Sequence, residues 1–431
     1  MNDLSHRFLP PAEPLGPARG HGLRSGPFGV LDIGTTKVVC IIGRVESDRT
    51  LRVLGFGWQK ARGVRAGGIT DLEEAERAIR AAVGQAEDMA DTRLRAVTVN
   101  LSCGQPESRL FNVQWPVGGR AVGEQDIRRV VLEGRSRAYV EGREVVHALP
   151  LNFAVDDTTG VSDPRGLHCD TLTARLHVID ASETALRNLS ASIARADLDI
   201  AELVVAPFAT ALAVLVPDER ELGATVIDMG GGTTSLAVFG EGQLLHTMQL
   251  PVGGVHVTND LARLLSTTVV HAERLKTLYG NVQGSPDDER EMLPVPLVGE
   301  DEHHIAKVPR SMVVSIIRPR LEETFELVKE HLETSGLSRI AGPRVVLAGG
   351  ASQLAGVREL AARILGRHAR IGKPMGLRGL PDAAAGPAFA TAAGLLIWAA
   401  GDGRSLQDID FESERKGGLL RRFLNFLRER V

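Results

Sequence analysis

No pair of cysteines in this chain has Cys-x-x-Cys spacing. The three present, Cys40, Cys103 and Cys169, are scattered, which excludes a structural zinc site and fits a reducing compartment. No apolar run reaches the length that crosses a bilayer. Neither G-x-x-x-x-G-K-S/T nor G-x-G-x-x-G occurs, so a P-loop and a Rossmann turn are both excluded. Basic excess is also missing: 50 Lys and Arg stand against 54 Asp and Glu, a net charge of -4. Without a basic field, nucleic acid is not an expected partner. At the start, Met1 to Pro27 carries five prolines and four glycines where a signal peptide would have an apolar core. Residues 1–27 are therefore expected to be a disordered leader. What remains is ordinary globular material, 431 residues at 43% hydrophobic and 24% charged, enough for two domains with separate cores.

One stretch organises the rest. Thr225 to Val238 reads TVIDMGGGTTSLAV: an apolar strand ending at Asp228, a turn at Gly230, Gly231 and Gly232, hydroxyls at Thr233 and Thr234, and a returning alternating strand. Bare glycine amides in such a turn face an anion without Cβ obstruction. Val30 to Gly43, VLDIGTTKVVCIIG, repeats the plan with Asp32, Gly34, Thr35, Thr36 and a basic Lys37. The two aspartates are 196 residues apart (228 minus 32), which signals an internal duplication. Facing hairpins of this kind would grip one nucleotide's phosphates from both sides. Lys37 would offset their charge, and Asp32 and Asp228 would hold the water shell of Mg²⁺, a cation that seldom sheds all its waters.

These residues carry a resemblance. LDIGTTK at Leu31 to Lys37, DMGGGTTSLAVF at Asp228 to Phe239, LAGGAS at Leu347 to Ser352 and ATAAGLL at Ala390 to Leu396 resemble the actin-like ATPase superfamily and, with the terminal amphipathic segment, its bacterial cell-division FtsA family. The resemblance implies an α/β, two-lobed actin-like fold with a duplicated core. It also implies ATP and Mg as cofactors, and a loop at Gly349, Gly350, Ala351 and Ser352 that opens the next helix and receives the adenosine. Glu273 and Lys276, with Gly254 of the preceding PVGG, would approach the ribose and adenine; the alternative for this pair is a solvated surface ion pair.

In chain order, the first-lobe core is expected at 28–101 and 179–206, with a helix over Asp71–Ala90 whose inner face is Leu72, Ala75, Ile79, Val83, Ala86 and Met89. Residues 102–178 read as an inserted FtsA-type subdomain of strand, helix and two strands, with WPVGG at Trp115 to Gly119 similar to the family's insert; it implies a surface for self-assembly and other division proteins. The second-lobe core is placed at 207–242 and 309–400, with a small subdomain at 243–308. In the family that subdomain docks the tail of the tubulin-like FtsZ, while His303, His304 and Lys307 here are open to being a wet edge. Pro319 is expected to kink the helix Ser311–Thr334, and an Ala-rich helix is expected over Ala383–Ala400. Ala206, Pro207 and Phe208 offer no Gln or Glu to orient an attacking water, so hydrolysis is expected to be slow at most.

Residues 401–417 read as a polar linker. Beyond it, GLLRRFLNFLRERV at 418–431 sets Leu419, Leu420, Phe423, Leu424, Phe426 and Leu427 on one broad helical face and Arg421, Arg422 and Arg428 on the other. A short basic helix of this kind lies in a membrane interface rather than crossing it. The expected function is an ATP-binding protein that polymerises and tethers FtsZ filaments to the cytoplasmic face of the cell membrane, a peripheral protein of the division septum. Two alternatives share the hairpins: an actin-fold enzyme such as a sugar kinase or chaperone ATPase, and a pilus-assembly adaptor of the FtsA-like group.

Overall fold

A computed structural model describes residues 26–300 and 305–401. Most of the leader, His303 and His304, the linker beyond residue 401 and the expected membrane helix lie outside the described residues.

The chain begins with three antiparallel strands, β1 (Phe28–Ile33), β2 (Lys37–Val45) and β3 (Leu51–Lys60), followed by a two-residue pair, β4 (Val64–Arg65) and β5 (Gly68–Ile69), helix α1 (Leu72–Ala90) and strand β6 (Ala96–Leu101). Asp71 caps α1, accepting from Glu73 N–H and Glu74 N–H. Its inner face is more alanine-rich than the apolar pattern indicated. Ala75, Ala78, Ile79, Ala82, Val83 and Ala86 are buried, whereas Met89 is 58% exposed. The reason is close approach: a Cβ on Gly55 or Gly57 of β3 would lie 2.1 Å from Ala86 O or 2.0 Å from Ala82 O, so only small residues fit where the helix meets the sheet.

The insert follows: β7 (Glu107–Pro116), α2 (Glu124–Arg137), β8 (Arg143–Val155), β9 (Thr158–Val161) and β10 (Thr171–Ser182). These strands form a sheet of order β7-β10-β8-β9 with α2 on one face and its own core around Val113, Val130, Leu172 and Leu176. The short edge strand β9 was not foreseen. Helix α3 (Glu183–Arg195) and strand β11 (Asp199–Val205) return to the first lobe, whose sheet has the order β11-β6-β1-β2-β3.

Helix α4 (Ala206–Val214) and short α5 (Pro217–Leu222) lead to the second lobe, β12 (Ala224–Met229), β13 (Thr234–Gly240) and β14 (Gln243–Leu250). Helices α6 (Gly254–Leu264) and α7 (Val269–Tyr279) precede a hairpin, β15 (Met292–Pro296) and β16 (Ile305–Pro309), and the long α8 (Arg310–Thr334), which continues as one helix through Pro319. Then come β17 (Arg344–Ala348), α9 (Val357–Leu365), β18 (His368–Ile371), β19 (Leu377–Arg378) and α10 (Ala390–Ala400). Two strands sit where the sequence did not place them. β14 is the third strand of the second-lobe sheet, β14-β13-β12-β17-β18, and β19 pairs with β3 in the first. The Ala-rich helix starts at Ala390, because 383–389 are taken up by two 3₁₀ turns.

Alternation divides each sheet between two cores. Val30, Val39 and Ile41 of the first lobe and Val226, Ala237 and Val346 of the second enter one common core with α4 and α10. Leu31, Cys40 and Ile42 face α1 and α3, and Ile227, Leu236 and Val345 face α6 and α8. Every residue of α4 is buried, as expected for a helix apolar on all sides. It crosses α10 so closely that a Cβ on Gly394 would lie 1.6 Å from Ala209 O. These two helices join the lobes and set the distance between the turns above them.

Candidate functional site

The two glycine turns are built alike. Gly34 N–H donates to Lys37 O at 2.9 Å, and Gly230 N–H donates to Thr233 O at 2.9 Å. The flanking registers repeat as well: Leu31 faces Cys40 as Ile227 faces Leu236, a shift of 196 on each strand (227 minus 31, 236 minus 40). The turns meet across the lobes. A Cβ on Gly231 would lie 2.4 Å from Thr36 Cγ2, and one on Gly232 would lie 2.5 Å from Thr35 Oγ1 and 3.0 Å from Ala66 Cα. Neither glycine has a positive φ. Bareness is thus demanded by the opposite lobe and not by the backbone's own conformation.

Beneath the turns lie the carboxylates. Asp32 and Asp228 are 7% and 8% exposed. Burial pushes Asp32 up to about 7, with the Lys37 ammonium opposing and the Asp228 charge adding to the rise. Burial also raises Asp228, against hydrogen bonds from Thr210 and Thr391 and the charge of Lys37. Lys37 itself is lowered by burial while both carboxylates pull it back, and its Nζ lies 4.7 Å from the centre of the Phe389 ring.

The other residues named from sequence gather around this centre. Gly254 N–H and Val255 N–H donate to Gly230 O and Gly231 O at 2.9 and 2.7 Å, seating the second turn on the N-terminus of α6. A Cβ on Gly254 would lie 3.4 Å from Ala351 Cβ and 3.6 Å from Lys276 Nζ. Lys276 donates to Gly254 O at 3.0 Å, Thr258 Oγ1 at 2.7 Å and Glu273 Oε2 at 2.6 Å. Its side chain is 12% exposed and that of Glu273 52%, so the pair is a tie between α7 and α6 with only the carboxylate end wet. Gly349 has φ of 80°, and a Cβ there would lie 2.4 Å from Asp228 Oδ1. The loop after it differs from expectation: Gly350–Gln353 form a 3₁₀ turn, and Ser352 Oγ donates back to Gly349 O at 2.7 Å instead of capping a helix. A second glycine turn at Gly356 is needed before α9 begins.

Thr210, Thr391, Thr258 and Phe389 were not found by sequence reading. The signal for the first two was present, as Thr210 and Thr391 are each the single polar residue of an otherwise apolar helix, APFATALAV and ATAAGLLIWAA. Among the described residues no cluster of three or more His, Cys, Asp or Glu is arranged to hold a metal unaided. A hollow of about 460 Å³ lined by Glu46, Asp48, Arg52 and Arg378 lies at the first-lobe edge and includes no residue of either turn.

Two lobes with repeated hairpins, a shared pair of apolar helices and an inserted four-stranded subdomain define an actin-like α/β protein. Among solved structures, the PilM-PilN type IV pilus biogenesis complex is similar at a TM-score of 0.61 and 19% identity, over 86% of this chain and 98% of that one. MreB5 of Spiroplasma citri bound to ADP is similar at 0.52 and 15%, over 89% and 98%. Residues 225–394 match the family described as cell division protein FtsA, and residues 103–180 match the SHS2 domain inserted in FtsA. Cell division protein FtsA of Agrobacterium fabrum is 44% identical over 405 residues, 91% of this chain and 90% of the relative. That of Pseudomonas aeruginosa is 33% identical over 368 residues, 85% and 88%. The chain belongs to the FtsA family of cell division proteins. Sequence identity of this extent, against likeness in fold alone, separates it from the pilus and enzyme alternatives. No helix among the described residues is long and apolar enough to cross a membrane.

Proposed function

We propose that the chain binds Mg·ATP between its two glycine turns, assembles with copies of itself, and links FtsZ filaments to the cytoplasmic face of the cell membrane. The carrying observation is the meeting of the turns over two buried carboxylates and one ammonium. Two carboxylates against one ammonium leave a net negative charge in a place where burial is costly, so a divalent cation fits. With only two acidic side chains at hand, that cation would keep water and phosphate as its remaining ligands. Gly34, Thr35, Thr36, Lys37 and Gly230 to Thr234 would hold phosphate through amides, hydroxyls and charge. Gly254, Glu273, Lys276 and Gly349 to Ala351 would hold the nucleoside. When bound, the cation would supply charge neutralisation for the phosphates. MreB5 of Spiroplasma citri, of the same fold, is known bound to ADP and to AMPPNP.

Slow hydrolysis is part of the proposal. Phe208 packs edge-on to Trp398 at 5.2 Å and lies 6.0 Å from Phe239, so the start of α4 is committed to the aromatic core. Turnover on the order of 10 per second or more would indicate an enzyme instead.

Membrane attachment is assigned to 418–431. Each large apolar side chain there, such as Phe423, Leu424 or Leu427, contributes about 1.5–3 kcal/mol when buried, part of which is offset by ordering the helix. One copy would bind weakly and a polymer tightly. Sedimentation with FtsZ and anionic vesicles, with and without ATP, tests the whole reading. Phe423→Glu is expected to lose the vesicles and keep ATP; a chain ending at Gly417 that still floats with vesicles would refute the anchor.

A further inference from the structure

The two aspartates of the site are held differently. Thr210 Oγ1 donates to Asp228 Oδ2 at 2.7 Å and Thr391 Oγ1 donates to the same oxygen at 3.0 Å, while the two hydroxyl oxygens lie 2.9 Å apart. Asp228 Oδ1 lies instead against Gly349. Among the described residues, no side chain donates a hydrogen bond to Asp32.

Thr210 is fully buried in a helix with no other polar side chain. A buried hydroxyl is costly unless it is paired, and this one is paired across the lobe junction. Three oxygens with two hydroxyl protons can make only two hydrogen bonds while Asp228 is ionised. Both go furthest on the carboxylate, because hydrogen bonds to a charged acceptor are the stronger ones. α4 and α10, the two helices shared by the lobes, thus each contribute one hydroxyl to one oxygen of one aspartate.

We propose that Thr210 and Thr391 are positioning residues for the bound cation: they fix Asp228 through Oδ2 and leave Oδ1, the oxygen beside Gly349, as the one open to the cation's water shell. The inference rests on the Mg·ATP reading above. Asp228 is then the oriented member of the pair, held through one oxygen by two hydroxyls. Removing the donors frees the carboxylate to rotate about the end of its strand.

The test uses the full chain. ATP binding is measured by calorimetry in EDTA, and Mg²⁺ is then titrated at saturating non-hydrolysable ATP analogue at one fixed pH, for wild type, Thr210→Val, Thr391→Val, Thr210→Ser and Thr391→Ser. Valine keeps the shape and removes the donor, and is expected to leave affinity in EDTA unchanged while raising the Mg²⁺ midpoint about 10-fold, the effect of one charge-assisted hydrogen bond. Serine keeps the hydroxyl and should follow wild type. Valine variants with the wild-type Mg²⁺ midpoint overturn the proposal, and so does equal loss in the valine and serine variants. Absence of ATP binding by wild type overturns the nucleotide reading and the clamp together, whereas wild-type binding with an unmoved midpoint in the variants overturns the clamp alone.

Discussion

The turn at Gly34–Lys37 and the turn at Gly230–Thr233 share strand register and closing hydrogen bond, yet they differ at every position that touches the other lobe. Where the first carries Thr35 and Thr36, the second has Gly231 and Gly232; where the first carries Lys37, the second has Thr233. The bulk of one fills the bareness of the other. Charge is also divided unequally, because the ammonium comes from the first turn and the anchored carboxylate from the second. A duplicated scaffold gave two copies of one shape, and divergence of a few side chains made the copies complementary. One such turn alone would be a common hairpin.

That complementarity can be broken from either side. Gly231→Val meets Thr36 and is expected to lower ATP affinity about 100-fold, roughly 2.7 kcal/mol, with much of the loss recovered by adding Thr36→Gly. Gly232→Val should lose as much and recover little with Thr35→Gly, because the Ala66 backbone still stands 3.0 Å from the new Cβ. Calorimetry on the single and double variants measures both, and equal recovery at the two positions would contradict the packing described.

The division of charge has its own signature. Lys37→Met leaves Asp32 and Asp228 uncompensated and is expected to destabilise the protein by about 2 kcal/mol, less than a fully buried pair because Lys37 is half-buried. Asp32→Asn in the same chain should return most of it. Denaturant midpoints with and without the second change decide.

Acid acts on the same carboxylate, spread over several pH units. Asp32 has a folded value of about 7 against an ordinary 3.8, so between these values the folded chain holds more protons than the unfolded one. The stability this group contributes is therefore full below about pH 4 and is lost as pH rises through about 7, at up to about 1.4 kcal/mol per pH unit. His177, buried on β10 of the insert, and His246, partly buried on β14, lie at about 3 and 4 against 6.5, and act in the opposite sense: their contribution is present above pH 6.5 and lost as pH falls toward those values. Asp32→Asn should remove the first component and leave the second, so its melting temperature should fall more steeply on acidification than that of wild type. The smallest effect is expected at Phe389, which faces the Lys37 ammonium and also meets the Phe56 ring edge-on at 5.7 Å: the ammonium contact should contribute about 0.5–1 kcal/mol, measured by denaturant unfolding as the part of the Phe389→Leu loss that disappears once Lys37 is methionine.

Local chemistry decided what the sequence disclosed. Asp before a glycine turn, alternating apolar residues on both sides and a second copy 196 residues later are short-range patterns, and they placed both hairpins, the insert and each cluster that gathers around the turns. Helix α1 was legible for the same reason, with its cap narrowed to Thr70 or Asp71, of which the folded chain uses Asp71. Contacts between distant segments left no such mark. Met89 satisfied the helical period but stayed outside the close seat of α1 on Gly55 and Gly57, where the helix presents Ala82 and Ala86. That two residues at 377–378 extend the first-lobe sheet, and that α10 packs against α4 between the two sheets, depends on strand pairing and helix crossing over hundreds of residues. Thr210 and Thr391, 181 residues apart, could be seen singly as odd hydroxyls in apolar helices, but only the folded chain brings both to one oxygen of Asp228, because periodicity reports which face a residue takes and not which partner that face will meet.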